Sequence, residues 1–292
     1  MLLACVQTDV TFADVEANVL RIQGHLDAAA KRGADLVVFP ECMLSGYAFD
    51  RLEDAERVAI VPDGPVIGDL AHLAKIHGLH FSVGYLERAG EQVFNASILL
   101  GPNGIVGQYR KIHLPHLGID RFADPGDRPF AVYQAGDARV GMAICYDSSF
   151  PESIRELGLQ GADVVALGTN WPSAAVHTAH LVPPARSMEN HLFFAAANRI
   201  GHENGFSFCG LSSICGPDGV ELARAEGDEE VILYAEIDVW AARNKRIERT
   251  KDTHVIDRFD DRRPEFYRTL VADPKTLPYA NQARKPESDP PE

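Results

Sequence analysis

Short apolar runs alternate along this chain with segments whose apolar residues recur every three or four positions. Residues 2–8 form the first run and predict a buried strand. Over 14–32, Val15, Val19, Ile22, Leu26 and Ala29 share one face of a predicted helix, which Gly33 closes. DLVVFPE at 35–41 predicts a second buried strand, stopped by Pro40. Residues 65–77 predict a helix, with Pro65 suited to its first turn and Gly78 to its end. Strands follow at 79–87, 93–101 and 104–111, the last two joined by a tight turn at 102–104. The second half repeats the alternation. Strands are predicted at 130–134, 138–145, 162–168, 192–200, 206–215 and 230–238. One helix follows Pro151, and another lies within 174–190, started or interrupted by Pro183-Pro184.

These strands are apolar on nearly every residue, so both faces of each sheet are expected to be covered. No repeat or linker divides the alternation, which predicts one α/β domain over 1–271. The last 20 residues carry five prolines and few apolar side chains, so 272–292 are expected to form an extended or disordered arm. A net charge of −14 argues against nucleic acid and against an anionic membrane surface. No apolar run approaches the ~18 residues of a membrane span. The N-terminal MLLACVQTDV has neither the basic nor the long apolar region of a signal peptide. The five cysteines are odd in number and suggest no disulfide framework, which points to a reducing cytoplasm.

Three reactive side chains each end an apolar strand: Glu41 after DLVVFP, Lys111 after GIVGQYR and Cys145 after RVGMAI. Strand ends in α/β sheets aim groups into shared crevices. Taken singly, each has an ordinary reading: Glu41 as a cap or ion-pair partner, Lys111 as a surface cation, Cys145 as a core thiol. Cys42 is a rival nucleophile without an apolar lead-in to aim it. His177 with His180, and His113 with His116, lack the third and fourth ligands a zinc site wants. Arg186 and Glu189 read as a structural ion pair.

The flanks of the three change the odds. FPECMLSGY at 39–47, YRKIHLP at 109–115 and CYDSSFPE at 145–152 occur in that order. Together they resemble the nitrilase superfamily of carbon–nitrogen hydrolases. GTNWP at 168–172, RSMENHLFFAAANRIG at 186–201, GPDG at 216–219 and DRRPEFY at 261–267 extend the resemblance over about residues 1–270.

The resemblance implies a four-layer α-β-β-α sandwich with two mixed β-sheets, a homodimer or higher homo-oligomer, and no metal or cofactor. It implies Cys145 as nucleophile, Glu41 as general base, and Lys111 with the Tyr146 backbone N–H as oxyanion donors. Asp120 stands where relatives often carry a second glutamate. Asn170 and Trp171, in GTNWP, are candidates for the substrate pocket. Ser149 occupies a position where relatives that bind a substrate carboxylate often place an arginine, and a hydroxyl cannot form that bidentate pair. Tyr146-Asp147 replaces the Trp-Glu usual in nitrilases. The expected substrate is therefore a small amide without an α-carboxylate. N-carbamoyl amines, nitriles and a non-catalytic binding role remain as alternatives.

Overall fold

The computed structural model describes residues 1–277. Nine strands run in chain order to the middle of the second sheet: β1 (Leu2–Gln7), β2 (Leu36–Val38), β3 (His80–Ala89), β4 (Gln92–Gly101), β5 (Gly104–Arg110), β6 (Val132–Ala135), β7 (Ala138–Ile144), β8 (Val164–Thr169) and β9 (Phe193–Asn198). A two-stranded ribbon, β10 (His202–Glu203) with β11 (Phe206–Ser207), precedes β12 (Ser213–Cys215), β13 (Glu221–Arg224) and β14 (Val231–Glu236). They build two six-stranded sheets, ordered β14-β1-β2-β3-β4-β5 and β13-β12-β9-β8-β7-β6. Both are mixed: β1-β2-β3 and β7-β8-β9 pair in parallel, and the outer strands pair antiparallel.

The sheets lie face to face, with helices α1 (Val15–Lys31) and α3 (Pro65–His77) outside the first sheet. Helices α4 (Pro151–Leu159) and α5 (Val176–Asn190) cover the second. This is the expected four-layer sandwich. The strand period of two makes it possible. On β1, Leu3 and Cys5 join the core shared with the second sheet, while Ala4 and Val6 join the core under α1 and α3. Both faces are therefore apolar, as the unbroken runs required. No described helix is long and apolar enough to cross a membrane.

Helix ends follow local chemistry. The Asp14 side chain accepts the Ala17 N–H to start α1, and α3 starts on Pro65 and stops at Gly78, whose φ is +66°. Two departures from expectation have identifiable causes. Pro183 and Pro184 lie inside α5 and do not break it. Pro183 cannot donate to the Ala179 carbonyl, but Arg224 Nη1 does so at 3.4 Å. The strand expected over 206–215 splits into β11 and β12, because Gly210 and Leu211 both adopt left-handed φ, +59° and +58°.

The compact body comprises Met1–Lys245 and includes two short helices, α2 (Leu52–Glu56) and α6 (Val239–Arg243). From Arg246 a second unit begins, with a hairpin of β15 (Arg246–Thr250) and β16 (His254–Asp257) and then three 3-10 turns. The boundary expected at 271 falls inside that unit. Of the expected arm, 278–292 lie outside the described residues.

Candidate active site

Strand β2 ends at Val38, and Phe39-Pro40 carry the chain on to Glu41. This short segment passes between β3 of one sheet and β8 of the other. A Cβ at Gly84 would lie 2.5 Å from Cys42 N and 2.7 Å from Glu41 Cα, and one at Gly168 would lie 2.9 Å from Glu41 N. Two glycines thus let the segment fit. Backbone cannot yield as a flexible side chain can, so Gly84→Ala is expected to displace Glu41. Misplacement by about 1 Å costs on the order of 10²-fold in rate. Turnover measured on protein shown to be folded by thermal melting checks this, and a wild-type rate would refute it.

Lys111 leaves β5 held on both sides: its N–H donates to Asn95 O, and its carbonyl accepts Gly126 N–H, each at 2.8 Å. Cys145 leaves β7 with φ +42° and begins a 3-10 turn, Cys145–Ser149. Left-handed backbone at a residue with a side chain is strained, and such strain concentrates at functional sites. Asp147 holds the turn. Its Oδ2 accepts Ile144 N–H at 2.9 Å and Tyr109 O–H at 2.7 Å; its Oδ1 meets His113 N at 3.2 Å and Nδ1 at 2.8 Å. Ser148 Oγ donates to the Cys145 carbonyl at 2.6 Å. Behind the turn, Arg186 donates to the Ser148 carbonyl and pairs with Glu189.

The strand ends meet. Lys111 Nζ lies 2.7 Å from Glu41 Oε1 and 2.6 Å from Asp120 Oδ2, and all three side chains are fully buried. Asp120 sits on a 3-10 turn, Gly118–Arg121, and its Oδ2 also accepts the Tyr47 hydroxyl at 2.8 Å. The neighbouring Arg121 turns away from this cluster, to Gly118 O, Phe49 O and Asp50. Asn95 Nδ2 donates to both carboxylates. Glu41 Oε2 is buried and makes no hydrogen bond within the described residues.

Electrostatics assign distinct states to these groups. Burial first, then the Glu41 charge, push the Cys145 thiol up to about 12, so it is neutral at rest. Burial also raises Glu41; Lys111 and Asn95 oppose that, and Asp120 adds to it. For Lys111, burial pulls downward, but Asp120 and Glu41, with Cys145, outweigh it and hold the ammonium well above its usual range. Cys145 keeps 8% exposure whereas Cys42 has none, and burial with Glu41 and Asp120 holds the Cys42 thiol protonated. Both thiols are protonated at rest, so it is exposure that separates the two as nucleophiles.

The remaining candidates fall in different surroundings. Tyr146 is 39% exposed and edge-on to Phe150, whose ring stacks on His113. Ser149 is exposed, and its carbonyl accepts Arg186 Nη2 at 3.4 Å. Asn170 Nδ2 donates to Glu41 O at 3.1 Å, leaving Oδ1 buried without a hydrogen bond among the described residues. Trp171 is buried in the apolar core, and its backbone N–H donates to Asn198 Oδ1. His177 and His180 are exposed on α5, and no group of three or more His, Cys, Asp or Glu among the described residues is arranged to hold a metal.

Two further residues, Asn95 and Tyr47, complete the site. Asn95 had a readable signal: a polar residue inside the apolar VFNASILL must find partners when buried. Tyr47 had none, because its position depends on Glu203, 156 residues away, whose Oε1 accepts the Tyr47 N–H at 2.6 Å.

A thiol, a carboxylate and an ammonium brought together from the strand ends of two packed sheets fit the catalytic triad of a hydrolytic enzyme. The family model for carbon-nitrogen hydrolases matches residues 2–246, and the chain belongs to that family, within the nitrilase superfamily. It is 37% identical over 265 residues to a nitrilase of Pyrococcus abyssi, covering 90% of this chain and 98% of the relative. It is 32% identical to N-carbamoylputrescine amidase of Solanum lycopersicum, covering 88% and 91%. The fold is similar to the crystal structure of an amidase from Nesterenkonia sp., with TM-score 0.79, 25% identity, and 93% and 96% of the two chains covered.

Proposed function

We propose that this carbon–nitrogen hydrolase converts a small amide lacking an α-carboxylate into its acid and ammonia, through a thioester on Cys145. The observation that carries the reading is the free oxygen of Glu41. Oε1 is occupied by Lys111 and Asn95, whereas Oε2 is buried and unpaired. A thiol pushed up to about 12 cannot ionise unaided near neutrality, so a base must take its proton as it attacks.

Glu41 Oε2 accepts the Cys145 proton while Sγ bonds to the amide carbon and the carbonyl π electrons move to oxygen. Lys111 has three N–H donors, and two are committed to Glu41 and Asp120. The third, with the Tyr146 backbone N–H, stabilises the oxyanion. The oxyanion re-forms the carbonyl, the C–N bond breaks, and the departing nitrogen takes the proton from Glu41. Water then gives a proton to Glu41, attacks the thioester, and expels the Cys145 sulfur, which recovers that proton. Protonation of Glu41 also removes the charge that disfavours the thiolate.

Similarity to N-carbamoylputrescine amidase supports a second reading, in which the group cleaved is the terminal carbamoyl of an amine and the products are ammonia, carbon dioxide and the amine. A panel of aliphatic amides, N-carbamoyl amines and nitriles tests both by ammonia release. The amide reading expects the largest kcat/KM on a primary amide, and activity abolished by iodoacetamide and retained in EDTA. A preference for nitriles, or loss in EDTA without loss in iodoacetamide, would overturn it.

A further inference from the structure

Asn95 places a fully buried carboxamide in the middle of β4. An amide there has lost its water and must replace every bond. Nδ2 donates to Glu41 Oε1 at 2.7 Å and to Asp120 Oδ1 at 2.9 Å, and Oδ1 accepts the Cys42 thiol at 3.6 Å. This orientation cannot flip. Ionised carboxylates only accept, so the nitrogen must face them, and a protonated Cys42 thiol donates to the oxygen. Cys42 thereby acts as the lock on the amide.

Resting on the reading of Glu41 as general base, we infer that Asn95 is a positioning residue: it selects Glu41 Oε2 as the proton-accepting oxygen and offsets the repulsion between Glu41 and Asp120 without adding charge. The four side chains form a closed ring. Lys111 Nζ joins Oε1 of Glu41 to Oδ2 of Asp120, and Asn95 Nδ2 joins the same Oε1 to Oδ1. Among the described residues, Oε1 therefore takes two donors and Oε2 none. Two carboxylates face one ammonium away from water, so the second half of the compensation comes from the amide dipole. Among the described residues, the other titratable groups acting on Glu41 or acted on by it are the thiols of Cys42 and Cys145 and the Tyr47 phenol. None of these supplies a cation.

Without Asn95, Oε1 gains an open lone pair, the carboxylate is free to turn, and the repulsion from Asp120 is uncompensated. Glu41 then keeps its proton to higher pH. Less base is then available on the acid side, so the acid limb of any Glu41-dependent reaction moves upward.

Iodoacetamide is the probe, because alkylation of Cys145 needs the same proton transfer and does not depend on the natural substrate. Its second-order rate is followed against pH by the mass of the Cys145 peptide in the full chain, for wild type, Asn95→Ala and Asn95→Ser. Thermal melting verifies that each variant is folded. Asn95→Ala is expected to move the acid limb up by about one pH unit, a ~10-fold slower rate on that limb. Asn95→Ser, which keeps one donor and is the gentler change, is expected to move it by less. An unmoved limb in folded Asn95→Ser and Asn95→Ala, whatever the absolute rate, overturns the inference. Glu41→Gln separates the two levels: if it keeps the wild-type limb, the base reading fails; if it abolishes the limb while the Asn95 variants leave it in place, only the role of Asn95 fails.

Discussion

Cys145→Ala is expected to yield a folded protein that releases no measurable ammonia from any amide the wild type hydrolyses. In other enzymes, removing a nucleophile that works as a unit with its base costs on the order of 10⁶-fold in kcat. The thiol's own polar contacts are with the Thr169 side chain and the Asn170 backbone, and the turn that carries it is held by other groups. Cys145 holds its turn through its carbonyl, which accepts Ser148 Oγ, and the Asp147 carboxylate caps Ile144 N. Neither bond involves the thiol. Alanine adopts the same φ of +42° at similar strain, so the change in stability is expected to stay within about 1 kcal/mol. Ammonia assays and thermal melting on one preparation check both halves. Unchanged turnover in the variant would remove Cys145 from the chemistry.

Lys111→Met is expected to lose activity and stability together, and the two losses have different origins. Activity falls because the oxyanion loses its cation. Stability falls because Glu41 and Asp120 are left buried without a counter-ion, a kind of change that costs about 3–5 kcal/mol. The second loss depends on pH. Carboxylates stranded in this way hold their protons to higher pH in the folded state than in the unfolded state. Their penalty is absent when both states are protonated and grows as pH rises through the carboxylate range. The variant is therefore expected to melt closer to wild type at pH 5 than at pH 8. Adding Asp120→Asn removes one stranded charge and is expected to restore much of the stability and none of the activity. Melting curves and ammonia assays on the single and double variants decide the matter; recovery of activity in the double variant would refute the oxyanion role.

Much of this was legible in the sequence because strands and helices announce themselves by period. Pro65 and Gly78 bound α3 where expected, and the apolar runs of β1 and β8 implied sheets covered on both faces. The reactive strand ends were visible for the same reason: a charged or thiol side chain at the close of an apolar run is conspicuous. What could not be read was pairing across sequence distance. The Arg224 bond that lets α5 run through two prolines spans 45 residues, and the Asn95–Glu41 bond spans 54. The break between β11 and β12 arose from left-handed backbone at Leu211, a residue type that gives no warning of it.

The segment carrying Glu41 is held between Gly84 of one sheet and Gly168 of the other, while the thiol stands at the end of a strand in the second sheet. The reactive centre therefore has no existence within either sheet by itself. A chain whose two sheets have not docked holds the thiol and the carboxylate apart and is expected to attack no amide. Activity is in that sense a gauge of sheet docking. In a denaturant titration, turnover is expected to vanish no later than the loss of sandwich structure seen by circular dichroism.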